Sequence, residues 1–271
     1  MSAVAVDLLP DVHARGDARG VALDAVGVAG VSLPVVVLGP DGSQQPTVAE
    51  TDLTVALGAE VRGTHMSRFV QEAAVLEPIT PGTLLKLAAS LCERLEASAS
   101  SVLFRFPLFV QRPAPVTGLS APHRYEVWLS AEVDTCDPEG AHVRVGVRAA
   151  VTSLCPCSRE ISDYGAHSQR GHVEVEVEAP SWREGSGIWP QELFSYADQA
   201  GSAQIHPLLK RPDERAVTML AYDQPAFVED IARQVVLAVT ADPRCATWSV
   251  AVTNQESIHD HQAIARVRGA R

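Results

Sequence analysis

The segment SLCPCSREISDYGAHSQRGHVEV, beginning at Ser153, sets Cys155 and Cys157 one residue apart and follows them with His167 and His172. Only five cysteines occur in 271 residues, so the pairing asks for a reason. A C-x-C spacing does not readily close on itself as a disulfide. Structural zinc sites prefer C-x-x-C pairs, usually two of them, and no second pair exists. One reading leaves two small core hydrophobes at a strand end. Pro156 favours another: it ends the strand and turns the thiols into a loop, where functional groups concentrate. His259 and His261, in NQESIHDHQ, add imidazoles in a second polar segment. A thiolate, an imidazole and a carboxylate can hold Zn²⁺, Fe²⁺ or Mn²⁺ with a position open to water. Such a cation makes hydroxide available near neutral pH.

Carboxylates stand in two further segments. LLKRPDERAV places Glu214 after Lys210 and Arg211, and QPAFVED places Glu229 in the first turn of an expected helix. An acid there is favoured by the helix dipole alone; it could also pair with the N–H donors of a heterocyclic base. Glu174, Glu176 and Glu178 alternate along HVEVEVEA and read as its solvated face. GTHMSRFVQ, from Gly63, is either a loop entering a helix or a phosphate-binding segment using Arg68 and backbone N–H groups. No P-loop motif is present.

The elements that must position these groups come mostly in pairs of strands. VSLPVVVLG reads as a short buried strand and TDLTVALGAEVRG as a second. Thr80-Pro81 opens a helix with Leu84, Leu87, Ala88, Leu91 and Leu95 on one face. SVLFRFPLFVQ and YEVWLSAEVD complete the first half. HVRVGVRAAVTSL and HVEVEVEA begin the second; helices follow from Trp189 and from Pro225, then strands TWSVAVTNQESI and QAIARVRG. An α+β fold is expected, with antiparallel sheets backed by helices. The expected division is a loosely ordered arm over 1–21, a first unit over 22–140 and a second over 141–271, with DPEG at the boundary. The net charge of −11 opposes non-specific nucleic-acid binding. No apolar run is long enough for a membrane helix and no basic-then-apolar leader opens the chain, so a cytoplasmic protein is expected.

LDAVGVAGVSLPVVV, RGTHMSRF, SLCPCSREIS, GAHSQRG, LLKRPDE, AYDQPAFVED and NQESIHDH, in that order, resemble the GTP cyclohydrolases of type IB over residues 22–268. Ser168 stands where the family has asparagine, and WREGSG resembles a loop insertion. The resemblance implies a bimodular tunnelling fold of two tandem ββααββ units, with SRFVQEAAV as the missing first helix, assembled as a homotetramer with sites between subunits. It implies conversion of GTP to 7,8-dihydroneopterin triphosphate and formate with a divalent metal, Mn²⁺ or Zn²⁺. It assigns Cys155, His167 and Glu214 as metal ligands, Cys155 also to the catalytic set, Glu256 and His259 to water ordering and proton transfer with His167 as alternative shuttle, and Glu229 to the guanine. Arg68, Lys210 and Arg170 are candidates for the triphosphate. Competing readings are a variant giving a cyclic phosphate, a deazapurine nitrile reductase of the same fold, and a non-catalytic purine or pterin binder.

Overall fold

The computed structural model describes residues 10–13, 15–75, 78–137, 140–179 and 187–271. The first half runs β1 (Leu23–Leu38), β2 (Gln44–Leu57), α1 (Met66–Ala74), α2 (Pro81–Leu95), β3 (Ala99–Pro113) and β4 (Ser120–Asp134). The second runs β5 (Ala141–Leu154), α3 (Pro156–Ile161), β6 (Ser168–Ala179), α4 (Pro190–Ala200), β7 (Ala203–Gln204), α5 (Arg211–Asp223), α6 (Val228–Ala241), β8 (Thr247–Asn254) and β9 (Ala263–Ala270). The strands form one antiparallel sheet in the order β1-β2-β3-β4-β5-β6-β8-β9, with short β7 beside β5. Because β4 pairs with β5, the sheet runs unbroken from one half to the other.

Alternation in β6 shows what holds this sheet. Val173, Val175 and Val177 are buried in the core with α4 and α6. Glu174 and Glu178 face the other way, 3.3 Å and 3.2 Å from Arg148 and Arg144 of β5. Each buried valine contributes about 1.5–3 kcal/mol, whereas a partly exposed ion pair contributes about 0–1 kcal/mol. The apolar face therefore sets the register, and the charged ladder decorates it. In α2, Thr80 and Thr83 form a reciprocal capping box, Pro81 occupies the first turn, and Leu84, Leu87, Ala88 and Leu91 are buried.

The structure departs from the sequence reading at several elements. β1 begins at Leu23, eight residues before Val31, and only Val37 along it is buried. It is an edge strand covered on one side, not a short buried one. Of the expected loose arm, residues 1–9 lie outside the described residues, while residues 15–17 are tied to the β2–α1 connection. Asp17 N–H donates to the Glu60 carbonyl at 3.0 Å and Arg62 N–H to the Arg15 carbonyl at 3.2 Å. SRFVQEAAV does supply the missing helix, α1. The segment RPDERAV begins a helix, α5, that periodicity alone did not reveal. α6 starts at Val228 rather than at Pro225. The loop reading of WREGSG falls on residues 182–187, of which 182–186 lie outside the described residues.

Two buried polar ties join the halves. Arg112 of β3 donates to Asp198 of α4 and to the Tyr125 hydroxyl of β4, and Tyr125 donates to Asp198 at 2.8 Å. Asp213 accepts from the N–H groups of Val116 and Thr117 at 2.9 and 2.8 Å, from the Thr117 hydroxyl at 2.8 Å and from Lys210 N–H at 3.0 Å. Burial alone would raise the Asp213 pKa. The donors of Thr117, Lys210 and Val116 outweigh it and hold the carboxyl well below the usual carboxylate range. That clamp fixes the start of α5 against the β3–β4 turn.

Candidate active site

β5 ends at Leu154, and the chain turns at Cys155 into α3. Three bonds fix the turn: Cys155 N–H to the His167 carbonyl at 3.0 Å, Ala226 N–H to the Leu154 carbonyl at 3.0 Å, and Leu154 N–H to Ser202 Oγ at 3.0 Å. The ends of β5 and β8, the start of β6 and the start of α6 thus meet at one corner of the sheet. Arg159 lies over the Tyr222 ring, 4.7 Å from its centroid, and docks α3 on α5.

At this corner lies a cavity of about 170 Å³ lined by Ser153, Cys155, Gln169, Ala226, Phe227, Val228, Glu229, Asn254, Glu256 and Ala263. A roomier cleft of about 350 Å³ at the opposite end of β5 is lined by residues such as Asp24, Glu132 and His142, and by none of the candidate site residues. Ser153, almost fully buried, organises the floor. Its hydroxyl donates to the Ala226 carbonyl at 2.9 Å, so it must accept from Asn254 Nδ2, 2.8 Å away. Asn254 is thereby oriented with Oδ1 as a buried acceptor that has no partner within the described residues. Gln169 Oε1 stands 2.8 Å from His167 Nδ1, and Gln169 Nε2 is 3.4 Å from Glu256 Oε1. Glu256 Oε2 lies 4.0 Å from His167 Nδ1. His167 is held on its Nδ1 side, one side chain behind the cavity wall, with Nε2 left for another partner.

Of the residues singled out by sequence, Cys155, Glu229 and Glu256 line this cavity and His167 stands behind them. Cys157 is exposed on α3. Neither thiol is the small core hydrophobe that one reading allowed. His259 is exposed in the β8–β9 connection, stacked on His261 with ring centroids 4.8 Å apart. Arg170 lies on β6 one residue from Gln169 and so faces the other side of the sheet. Lys210 is exposed ahead of α5. Arg68 lies on α1 and donates to the Arg94 carbonyl at 3.2 Å, beside Glu72 and Glu93 rather than in the cavity. Three side chains that frame the cavity, Ser153, Gln169 and Asn254, were missed. The available signal was their position two residues from Cys155, His167 and Glu256 respectively.

The expected metal donors are only partly gathered. Cys155 offers sulfur at the cavity wall and His167 an imidazole oriented by Gln169, a pairing that suits Zn²⁺, Fe²⁺ or Mn²⁺. Glu214 does not join them: the donor atoms of Cys155, His167 and Glu214 are not all within 4.8 Å of one another. The cause is local. Asp213 takes the inward position of α5, and Glu214, about 100° further round the helix, is exposed.

An antiparallel sheet built from two strand-paired halves with helices on one face is shared with solved urate oxidases. The chain matches the uricase from Bacillus fastidious at a TM-score of 0.56 and 8% identity, covering 92% of this chain and 93% of that one. It matches the uricase from Arthrobacter globiformis at 0.53 and 10% identity, covering 92% and 93%. The fold is therefore the α+β tunnelling fold. Among sequences, the chain is 43% identical over 262 residues to GTP cyclohydrolase FolE2 1 of Dechloromonas aromatica, covering 96% of each. It is 41% identical over 268 residues to GTP cyclohydrolase FolE2 of Bordetella petrii, covering 97% of each. The family described as type I GTP cyclohydrolase folE2 matches residues 9–265, and this chain belongs to that family.

Proposed function

We propose that this chain converts GTP and water to 7,8-dihydroneopterin triphosphate and formate. One observation carries the reading: motifs far apart in sequence bring a thiol, two carboxylates and an oriented amide to a single cavity. Glu229, at the start of α6, accepts from guanine N1–H and the 2-amino group. ATP lacks that donor pair and is rejected. Water adds at C8 and the imidazole ring opens; a second water releases formate; the ribose carbons then rearrange and condense with the freed amine, losing one water as the new ring closes, so that one water is consumed overall. Glu256 orients water and, with His259, moves protons, while Gln169 fixes the His167 ring.

A divalent metal, Mn²⁺, Zn²⁺ or Fe²⁺, would be held by Cys155 and His167, with Glu214 as third donor only from another copy and not from the same chain, and when bound would supply water activation. The cavity, at about 170 Å³, is below the 300–1,000 Å³ typical of ligand pockets. It suits the base, leaving ribose and triphosphate outside the wall. Strands β1 and β9 each leave one edge of the sheet open, which supports closure by other copies into a homotetramer. His259, Lys210, Arg68 and Arg170 would then act in sites shared between copies. Reduced thiols at the site suit a cytoplasmic setting.

Incubation with GTP and Mn²⁺ tests this. The expected product is fluorescent after oxidation, has the mass of the linear triphosphate, and appears with equimolar formate. Formate without the pterin, or a cyclic phosphate mass, contradicts the stated reaction.

A further inference from the structure

We propose a second divalent-cation site, outside the active-site cavity, formed by Asp11, His13 and His65. One carboxylate oxygen and one ring nitrogen from each imidazole all lie within 4.8 Å of one another, the only such group of three among the described residues. Asp11 Oδ2 and His65 Nε2 are 3.1 Å apart, close to the ~3.3 Å edge of a tetrahedron with ~2.0 Å metal–ligand bonds. Asp11 Oδ1 accepts from His13 N–H at 3.1 Å, which leaves Oδ2 to face the imidazole. A His65–Asp11 ion pair would account for the short contact but not for the second imidazole. The His13 ring stands edge-on to that of His65, with centroids 5.4 Å apart at 61°. Gly63 makes room for it: a Cβ at Gly63 would fall 2.9 Å from His13 Cδ2.

Two imidazoles and one carboxylate, without sulfur, suit Zn²⁺, Co²⁺ or Ni²⁺ rather than Mg²⁺ or Ca²⁺, which prefer oxygen. Water completes the coordination at this exposed position. The ligands come from both sides of one junction, Asp11 and His13 from the arm and His65 from the entry to α1. Among the described arm residues 10–13 and 15–20, only Asp17 is even partly buried, so few apolar contacts hold the arm in place. The cation staples it to the β2–α1 connection, alongside the main-chain bonds of Arg15 and Asp17.

Zn²⁺ titration of the full chain carrying Cys155→Ala, which removes the sulfur ligand of the active-site proposal, tests this separately. The expected result is about one equivalent per chain, lost on adding His13→Ala and His65→Ala. Gly63→Ala, which displaces the flexible His13 ring and not the backbone, is expected to weaken binding about 10- to 100-fold with an unchanged circular dichroism spectrum. Zn²⁺ is also expected to slow trypsin cleavage at Arg15 in the Cys155→Ala chain and not in the variant that also lacks both imidazoles. No Zn²⁺ bound to Cys155→Ala, equal binding after the imidazoles are removed, or cleavage indifferent to Zn²⁺ would each overturn the proposal.

Discussion

Ser153→Ala strikes the floor of the cavity without touching the proposed chemistry. The hydroxyl donates to the Ala226 carbonyl and accepts from Asn254 Nδ2, at 2.9 and 2.8 Å, in a position 1% exposed. Alanine leaves a buried carbonyl and a buried amide N–H without these partners, and each orphaned group costs about 1–3 kcal/mol. Partial repacking of Asn254 brings the expected loss to about 2–4 kcal/mol, or about 4–7 °C in Tm for a chain of this size. Ala226 leads into Phe227 and Glu229, so KM for GTP is expected to rise more than kcat falls. Calorimetry and steady-state kinetics read both effects, with Ser249→Ala, an exposed serine on β8, as the control expected within about 0.5 kcal/mol. A Ser153→Ala chain as stable as that control would refute the hydrogen-bond reasoning.

Other outcomes follow from the same geometry. Glu229→Gln exchanges a charged acceptor for an amide that can accept only one of the two guanine donors; kcat/KM is expected to fall about 10²- to 10⁴-fold with stability unchanged, since the side chain is exposed. Cys155→Ala is expected to abolish both turnover and retention of the active-site metal, and Cys157→Ala to keep both, by activity and metal analysis of protein prepared without chelator. Asp213 has its carboxyl pKa lowered from 3.8. Its stabilisation is therefore complete above that value and is lost as pH falls through the lower folded value. Urea midpoints of the wild type are expected to drop more steeply below about pH 4 than those of Asp213→Asn, which has no carboxyl to titrate.

The parts of the fold written in local pattern were legible. Val-Glu alternation marks β6, and the leucine spacing after Thr80-Pro81 marks α2 with its cap. α5 was not legible because its cap is unconventional: Lys210 occupies the N-cap position, and the bond that matters comes from Asp213 reaching back to the Lys210 N–H. β1 was shortened because its early half is an exposed edge, and exposure removes the apolar signal. At the site, the motif cysteine and carboxylates could be named individually. The Ser153–Asn254 bond spans 101 positions and the Arg112–Asp198 pair 86, and no local pattern announces such pairs. Glu214 shows the converse: resemblance names this carboxylate, but within one chain it is exposed on α5 and its neighbour Asp213 holds the buried place.

The central claim is that the purine sits in the cavity between β5, β6, β8 and α6. A crystal structure of the wild-type protein with 8-oxo-GTP, whose C8 is already a carbonyl carbon, tests it most directly. The account predicts guanine N1 and the 2-amino group within hydrogen-bond distance of Glu229, with C8 turned towards Cys155 and His167. A base bound in the cleft lined by Asp24, Glu132 and His142, or at any place away from Glu229, would contradict it.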